Sequence, residues 1–162
     1  MKKKTLPLVA VLAVLAAAAP ARADDAHVSA GYSFLKYLED DGGSAPLGAY
    51  LSFWSSQNTG LELDLGYHRD SEDGGPTLNT FTVTAGPRFT ASNDGNLYLH
   101  VLGGLRHDSV EGFSNTAWGG LAGFGLDVPS GSIALRLSAD FEIFFDEGEN
   151  VKALRLSAGI TF

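Results

Sequence analysis

The chain has 162 residues, 44% of them apolar and 19% charged, with 20 Gly and no Cys. That length suits one domain, and the composition is too apolar for a disordered chain. A formal net charge of −8 argues against a nucleic-acid partner, which would need a basic face; the lack of Cys excludes a disulfide scaffold, a thiolate metal site, a Cys nucleophile and lipidation of a Cys.

In chain order, Met1-Lys2-Lys3-Lys4 is a positive n-region and Leu6 to Ala19 is an apolar run. Pro20-Ala21-Arg22-Ala23 then offers an A-x-A-like cleavage site. The run is shorter than the ~20 residues of a spanning helix, and Pro7 and Pro20 bracket it. Residues 1–23 are therefore expected to be a cleaved export signal, with one mature domain over 24–162. Without the leader, 19 acidic residues face 7 basic ones, a net charge of −12, and all 20 Gly remain. No later stretch reaches the ~18 apolar residues of a candidate membrane helix.

After Ala23 the helical period is missing, and apolar and polar residues alternate between Gly/Asp/Ser/Asn/Pro clusters. The pattern predicts eight strands, at 27–37, 47–56, 60–69, 79–90, 96–106, 116–127, 132–145 and 151–162. Ordinary strands have about 5–6 residues, whereas a tilted strand crossing a bilayer needs about 9–11. These strands are of the second kind. The connections measure 9, 3, 9, 5, 9, 4 and 5 residues in order, long ones mostly at odd places. The odd connections hold Glu39, Asp40, Asp41, Asp70, Glu72, Asp73, Asp108, Glu111, Asp146, Glu147 and Glu149 with no Lys or Arg, and the even ones only Asp94. Long acidic loops on one side and tight turns on the other fit a membrane barrel.

Each strand has two faces. Strand 8 sets Leu154, Leu156, Ala158, Ile160 and Phe162 against Ala153, Arg155, Ser157, Gly159 and Thr161. Strand 7 sets Ile133, Leu135, Leu137, Ala139, Phe141, Ile143 and Phe145 against a face with Arg136, Asp140 and Glu142. Strands 3, 4 and 6 repeat the division; strands 1, 2 and 5 alternate less cleanly. If the charged faces pointed out, the chain would be a soluble barrel with an apolar interior. The positions of the aromatics favour the other arrangement. Phe53, Phe89 and Phe162 fall at one rim and Tyr67, Phe81, Trp118 and Phe145 at the other, as interfacial girdles do. Lys36 and Lys152 end the apolar faces of strands 1 and 8, where they can snorkel towards lipid phosphates.

With the charged face inward, the lumen receives Glu62, Asp64, Asp127, Asp140 and Glu142 against Arg88, Arg106, Arg136 and Arg155. Buried charges are costly unless paired, and eight strands enclose only enough room for side chains to fill. The expectation is a plugged polar core, with Arg155 opposite Asp140 or Glu142 and Glu62 close to Arg88; a narrow channel along these groups is the alternative. Interior Gly31, Gly66, Gly86, Gly104, Gly123, Gly125 and Gly159 leave room for Arg, Tyr and Trp side chains.

The signal segment, the Gly-rich strands, the Ala85-Gly86-Pro87-Arg88-Phe89 run and the alternating last strand ending in Phe162 resemble the small eight-stranded outer-membrane barrels of the OmpA/OmpX/Ail and opacity-protein type. The resemblance covers nearly all of 24–162. It implies an all-β, eight-stranded antiparallel up-and-down transmembrane barrel in the outer membrane, with both termini periplasmic. It also implies that Ile160 and Phe162 form the terminal signal read by the outer-membrane assembly machinery. Related barrels serve as adhesins, resistance factors and structural proteins.

Other chemistry finds little support. His107-Asp108-Ser109 resembles the His-x-Ser arrangement of outer-membrane lipid A deacylases, in which His activates Ser, but the surrounding motif is absent and the triplet reads as the start of an outer loop. His27, His68 and His100 are scattered over three strands without metal-ligand spacing. The acidic clusters with Asp40, Asp41, Asp70 and Asp73 fit no EF-hand; they read as solvated loops able to collect divalent cations that bridge to lipopolysaccharide. No cofactor or resident metal is expected. The sequence thus predicts a monomeric, non-enzymatic outer-membrane barrel with a structural or surface-interaction role, in contact with outer-membrane lipid and lipopolysaccharide; a channel, a lipid A-modifying enzyme and a soluble ligand-binding barrel are the alternatives.

Overall fold

A computed structural model describes residues 26–38, 46–55, 59–71, 76–91, 96–146 and 149–162. The expected leader and Asp40, Asp41 and Asp73 lie outside the described residues. Eight strands follow one another: β1 (Ala26–Tyr37), β2 (Leu47–Ser55), β3 (Thr59–Ser71), β4 (Thr77–Thr90), β5 (Leu97–Val110), β6 (Phe113–Ser130), β7 (Ile133–Asp146) and β8 (Glu149–Thr161). They form a closed barrel in sequence order, every pairing antiparallel, with β1 closing on β8 from Ser29↔Thr161 to Tyr37↔Ala153. The Phe162 N–H donates to the Val28 carbonyl at 2.8 Å and extends that seam. Closure gives the backbone groups of each strand partners on both sides, which hydrocarbon demands.

The third long connection is corrected. Residues 107–115 were expected as a loop, yet β5 and β6 pair as far as Val110↔Phe113, leaving only the Glu111-Gly112 turn. Glu111 (φ 34°) and Gly112 (φ 96°) both take left-handed backbone, the geometry that matches hairpin twist. β3, β4, β7 and β8 also outrun their expected bounds at this end, shortening the β3–β4 and β7–β8 connections, while the β1–β2 connection keeps its expected bounds. Above the hydrocarbon both faces of a strand are wet, so pairing continues where alternation stops.

Alternation elsewhere sorts the side chains as expected and settles β1, β2 and β5. Ser29, Ser33 and Leu35, then Tyr50, Ser52 and Trp54, then Tyr98, His100, Leu102 and Arg106 are buried inward. The outward set includes Tyr32, Phe34, Leu61, Leu99, Val101, Leu105, Phe124, Leu135, Phe141, Leu154, Leu156 and Ile160, all exposed. An apolar coat around a polar interior is the reverse of a soluble barrel. Tyr67↔Phe81 and Trp118↔Phe145 are cross-strand pairs of the upper girdle, the second with ring centroids 5.0 Å apart.

The pairing is staggered. The row of inward residues starting at Ser29 on β1 runs through Ser52, Asp64, Thr84, Gly104, Gly119 and Phe144 to Val151 on β8, beyond Ala153, the partner of Tyr37, and so far above its start. The strands therefore tilt, as closure requires. The lower end of the barrel is the one at which β1 begins and β8 ends. One break interrupts the wall: Ala85↔Gly103 is followed only by Arg88↔His100, so the β4–β5 ladder skips Gly86 and Pro87. Pro87 has no N–H to donate, and a Cβ at Gly86 would collide with the Val101 carbonyl.

Candidate functional site

The inward residues of all eight strands meet in the lumen. Near the lower end, neighbours in β2 to β7 bring Trp54, Glu62, Arg88, Tyr98, Asp127 and Arg136 together. The Arg88 guanidinium lies 3.4 Å from the Tyr98 ring centroid and 4.4 Å from that of Trp54; Arg136 lies 3.8 Å from Trp54 and 4.7 Å from Tyr98. Two cations are thus clasped by two aromatic faces, an attraction that strengthens when water is excluded. Tyr98 fits because it packs over Gly125, where any Cβ would collide with its ring.

Carboxylates complete the layer. Arg136 donates to Asp127 from Nε and Nη2 at 2.7 Å each, the bidentate arrangement for which guanidinium is suited. Arg88 reaches Asp127 at 3.0 Å and Glu62 at 3.5 Å. His100 then links this layer to the next, with Nδ1 3.0 Å from Glu62 and Nε2 2.8 Å from Asp140. Both ring nitrogens face carboxylate oxygens, which only accept, so the ring serves both contacts when it donates from both nitrogens. Asp140 receives Arg155 Nε and Nη2 at 3.0 Å each, and Arg155 Nη1 donates to Asp64 at 2.7 Å. Ser52 supplies a 2.6 Å hydrogen bond to Asp64. A connected network therefore runs from Asp127 to Asp64 across the lower and middle lumen.

Higher up, Arg106 bridges the barrel. It donates to the Tyr37 hydroxyl at 2.8 Å and to Asp108 at 2.8 and 3.1 Å, while Thr80 donates to Asp108 at 2.5 Å. All nine charged residues assigned to the lumen from the sequence face it. Arg155 lies opposite Asp140 in register and 3.5 Å from Glu142. Asp108 joins them, which corrects the reading of His107-Asp108-Ser109 as loop: the three sit in β5, Asp108 faces inward to Arg106, and His107 faces out to Thr116. Among the lumen residues that sequence reasoning missed are His100, Tyr98, Trp54, Tyr37 and Tyr50. Parity was the available signal, since His100 and Tyr98 share the even-numbered face of Arg106.

Asp70 lies one residue before the end of β3, opposite Leu78 and half-buried, on the inward parity of Glu62, Asp64 and His68. Among the described residues no three His, Cys, Asp or Glu side chains are grouped as a metal ion would need. Ile160 on β8 and Phe162, the residue that follows the strand, are both exposed. Phe34, Leu154, Leu156, Phe141 and Phe124 wall a lipid-facing cleft of about 450 Å³, with Ala122 and Ala139 beneath them and Lys36 at its upper edge.

The family model described as outer membrane protein beta-barrel domain matches residues 8–162. Among solved structures, the attachment invasion locus protein Ail of Yersinia pestis superposes with a TM-score of 0.64 at 22% identity, covering 85% of this chain and 98% of that one. Neisserial surface protein A gives 0.65 at 15% identity, covering 84% and 95%. The N-terminal β-barrel domain of Pseudomonas aeruginosa OprF gives 0.55 at 16%, covering 84% and 97%. No curated protein matches the chain in sequence.

Proposed function

Because the chain belongs to the outer membrane protein beta-barrel domain family, we propose that it is a non-enzymatic outer-membrane barrel with a structural or surface-interaction role and a plugged lumen. The observation that carries the plug is the unbroken run of contacts from Asp127 through Arg136, Trp54, Tyr98, Arg88, Glu62, His100, Asp140 and Arg155 to Asp64. Ions entering from either end would have to part desolvated pairs, which resist separation because each member left alone is costly. Planar-bilayer recording on the folded protein tests this. The expected outcome is no steady conductance; ion-selective steps of constant size would replace the plug with a narrow channel.

The partners follow from the outer surface. Residues 1–23 serve as the export signal, and Ile160 with Phe162 as the terminal element read during assembly. Outer-leaflet lipid, lipopolysaccharide included, fits the cleft below Lys36: its walls are apolar, and an ammonium at its upper edge suits a lipid phosphate. Divalent cations at Asp40, Asp41, Asp70 and Asp73 would bridge the acidic loops to the same phosphates. A surface-interaction role is supported by the β5–β6 hairpin, whose tip carries Phe113 at 83% exposure, an apolar side chain with no structural use there. The barrel acts as a monomer in this reading.

A further inference from the structure

His100 is a buried ring with a carboxylate at each nitrogen. Its register neighbours are Arg88 on β4 and Gly123 on β6. Gly123 pairs in turn with Asp140 on β7, and a Cβ at Gly123 would collide with Asp140 Oδ1. The missing side chain therefore lets Asp140 reach over β6 to His100 Nε2 at 2.8 Å, while Glu62 of β3 meets Nδ1 at 3.0 Å. Tyr98 of β5 stands edge-on to the ring, with centroids 5.4 Å apart. Beyond the two carboxylates lie Arg136 of β7, 3.9 Å from Glu62, and Arg155 of β8, 3.0 Å from Asp140. His100, Glu62 and Asp140 are each at most 3% exposed.

The charges joined through this ring do not balance without it. The ion-paired set holds four carboxylates, Glu62, Asp64, Asp127 and Asp140, against three guanidinia, Arg88, Arg136 and Arg155. Glu142, 3.5 Å from Arg155, would widen the shortage, and Arg106 is engaged by Asp108. Buried charge is costly unless it is matched. Carboxylate oxygens only accept hydrogen bonds and a neutral imidazole has a single donor, so a neutral ring would turn a lone pair on Glu62 or on Asp140. From this we infer that His100 is held as an imidazolium in the folded barrel, the fourth cation of the set, and that its second proton is a releasable joint between two layers. The lower layer is Glu62, Arg88, Asp127 and Arg136; the next is Asp140, Arg155 and Asp64. A guanidinium in that place would keep its charge at every pH, whereas an imidazolium can lose it. Release turns one of the two contacts from attraction to repulsion. The joint therefore holds while the ring keeps both protons and fails as the pH rises past their loss.

The ring nitrogens report the charge directly. In the barrel isotope-labelled at its histidine rings and folded into phospholipid nanodiscs at neutral pH, nuclear magnetic resonance should find a proton on both His100 nitrogens; the His100→Gln spectrum identifies the two signals. One protonated and one bare nitrogen would overturn the imidazolium. Glu62→Gln removes one carboxylate charge and leaves Asp140 in place, so the ring should release its proton about tenfold more readily, a fall of about one unit in the midpoint of its alkaline titration. An unmoved midpoint would also count against the fourth cation. Stability reads the joint separately. As the pH rises, the urea midpoint of the wild type, followed by heat-modifiable gel mobility, should fall relative to that of His100→Gln until the ring signals convert, and level off beyond. Parallel curves through the conversion would overturn the joint. Should His100→Gln not fold, Glu62→Gln takes its place, and the fall is expected to move to lower pH together with the ring signals; a fall that stays put would reject the joint equally.

Discussion

Arg136 shows how one side chain can serve several neighbours. It is 1% exposed, grips Asp127 with two hydrogen bonds and lies against both Trp54 and Tyr98. Replacing it with Ala would leave Asp127 short of its closest partner and remove the cation between the rings. Breaking a buried pair from one side costs about 3–5 kcal/mol, so Arg136→Ala should lower the stability of the folded barrel by about that amount in urea titrations followed by gel mobility. Arg136→Met with Asp127→Leu should cost clearly less, since the two opposite charges leave together and Arg88 keeps Glu62. The charged members of this network were legible from parity alone: period two puts every second residue of a strand on one face, and carboxylates and guanidinia avoid lipid. His100, Tyr98 and Trp54 were harder. In β5 and β2 apolar residues occupy both faces, because Leu102 packs inward beside His100 and Tyr98 spreads over Gly125. Amphipathic rings satisfy a polar interior and an apolar one equally, so the pattern around them carries less information.

At the scale of the element, the β5–β6 hairpin is the main departure from expectation. Residues 107–115 looked like a loop because solvent removes the need for alternation, not because pairing ends. What fixes the hairpin is the turn, where Glu111 holds φ 34° and Gly112 φ 96°. Glu is an uncommon occupant of left-handed backbone, whereas Asn-Gly is the preferred pair for such a turn. Glu111→Asn should therefore slow amide hydrogen exchange at Val110 and Phe113, and Gly112→Val should speed it. Equal rates in the three proteins would mean that the turn does not hold the tip. The Gly86-Pro87 break in the β4–β5 ladder was visible in sequence as a Pro within a strand, but not its consequence, since which neighbour loses its hydrogen bonds depends on register.

At the scale of the whole molecule, the strand count, antiparallel order and inside-out distribution were all readable, because a closed barrel in lipid imposes one rule on every strand. Leu135 and Leu156 test that rule. They are 49% and 55% exposed, on neighbouring strands of the lipid face. A charge on this face costs about 2–4 kcal/mol near the bilayer midplane. Leu156→Lys should therefore destabilise the barrel in phospholipid vesicles by up to that range, while Leu156→Ile should be nearly neutral. If the Lys variant matched the wild type, the side chain would not be facing acyl chains.

The two tryptophans look into different media. Trp118 sits on the outer wall at 66% exposure, and Trp54 is clasped between guanidinia inside. Fluorescence from one is open to quenching by brominated acyl tails and from the other is shielded from them. Refolding a Trp118→Phe protein and a Trp54→Phe protein into brominated vesicles would therefore time two events apart, arrival of the wall in the bilayer and setting of the interior. A lag of the second behind the first would show that this protein enters the membrane before its centre has hardened.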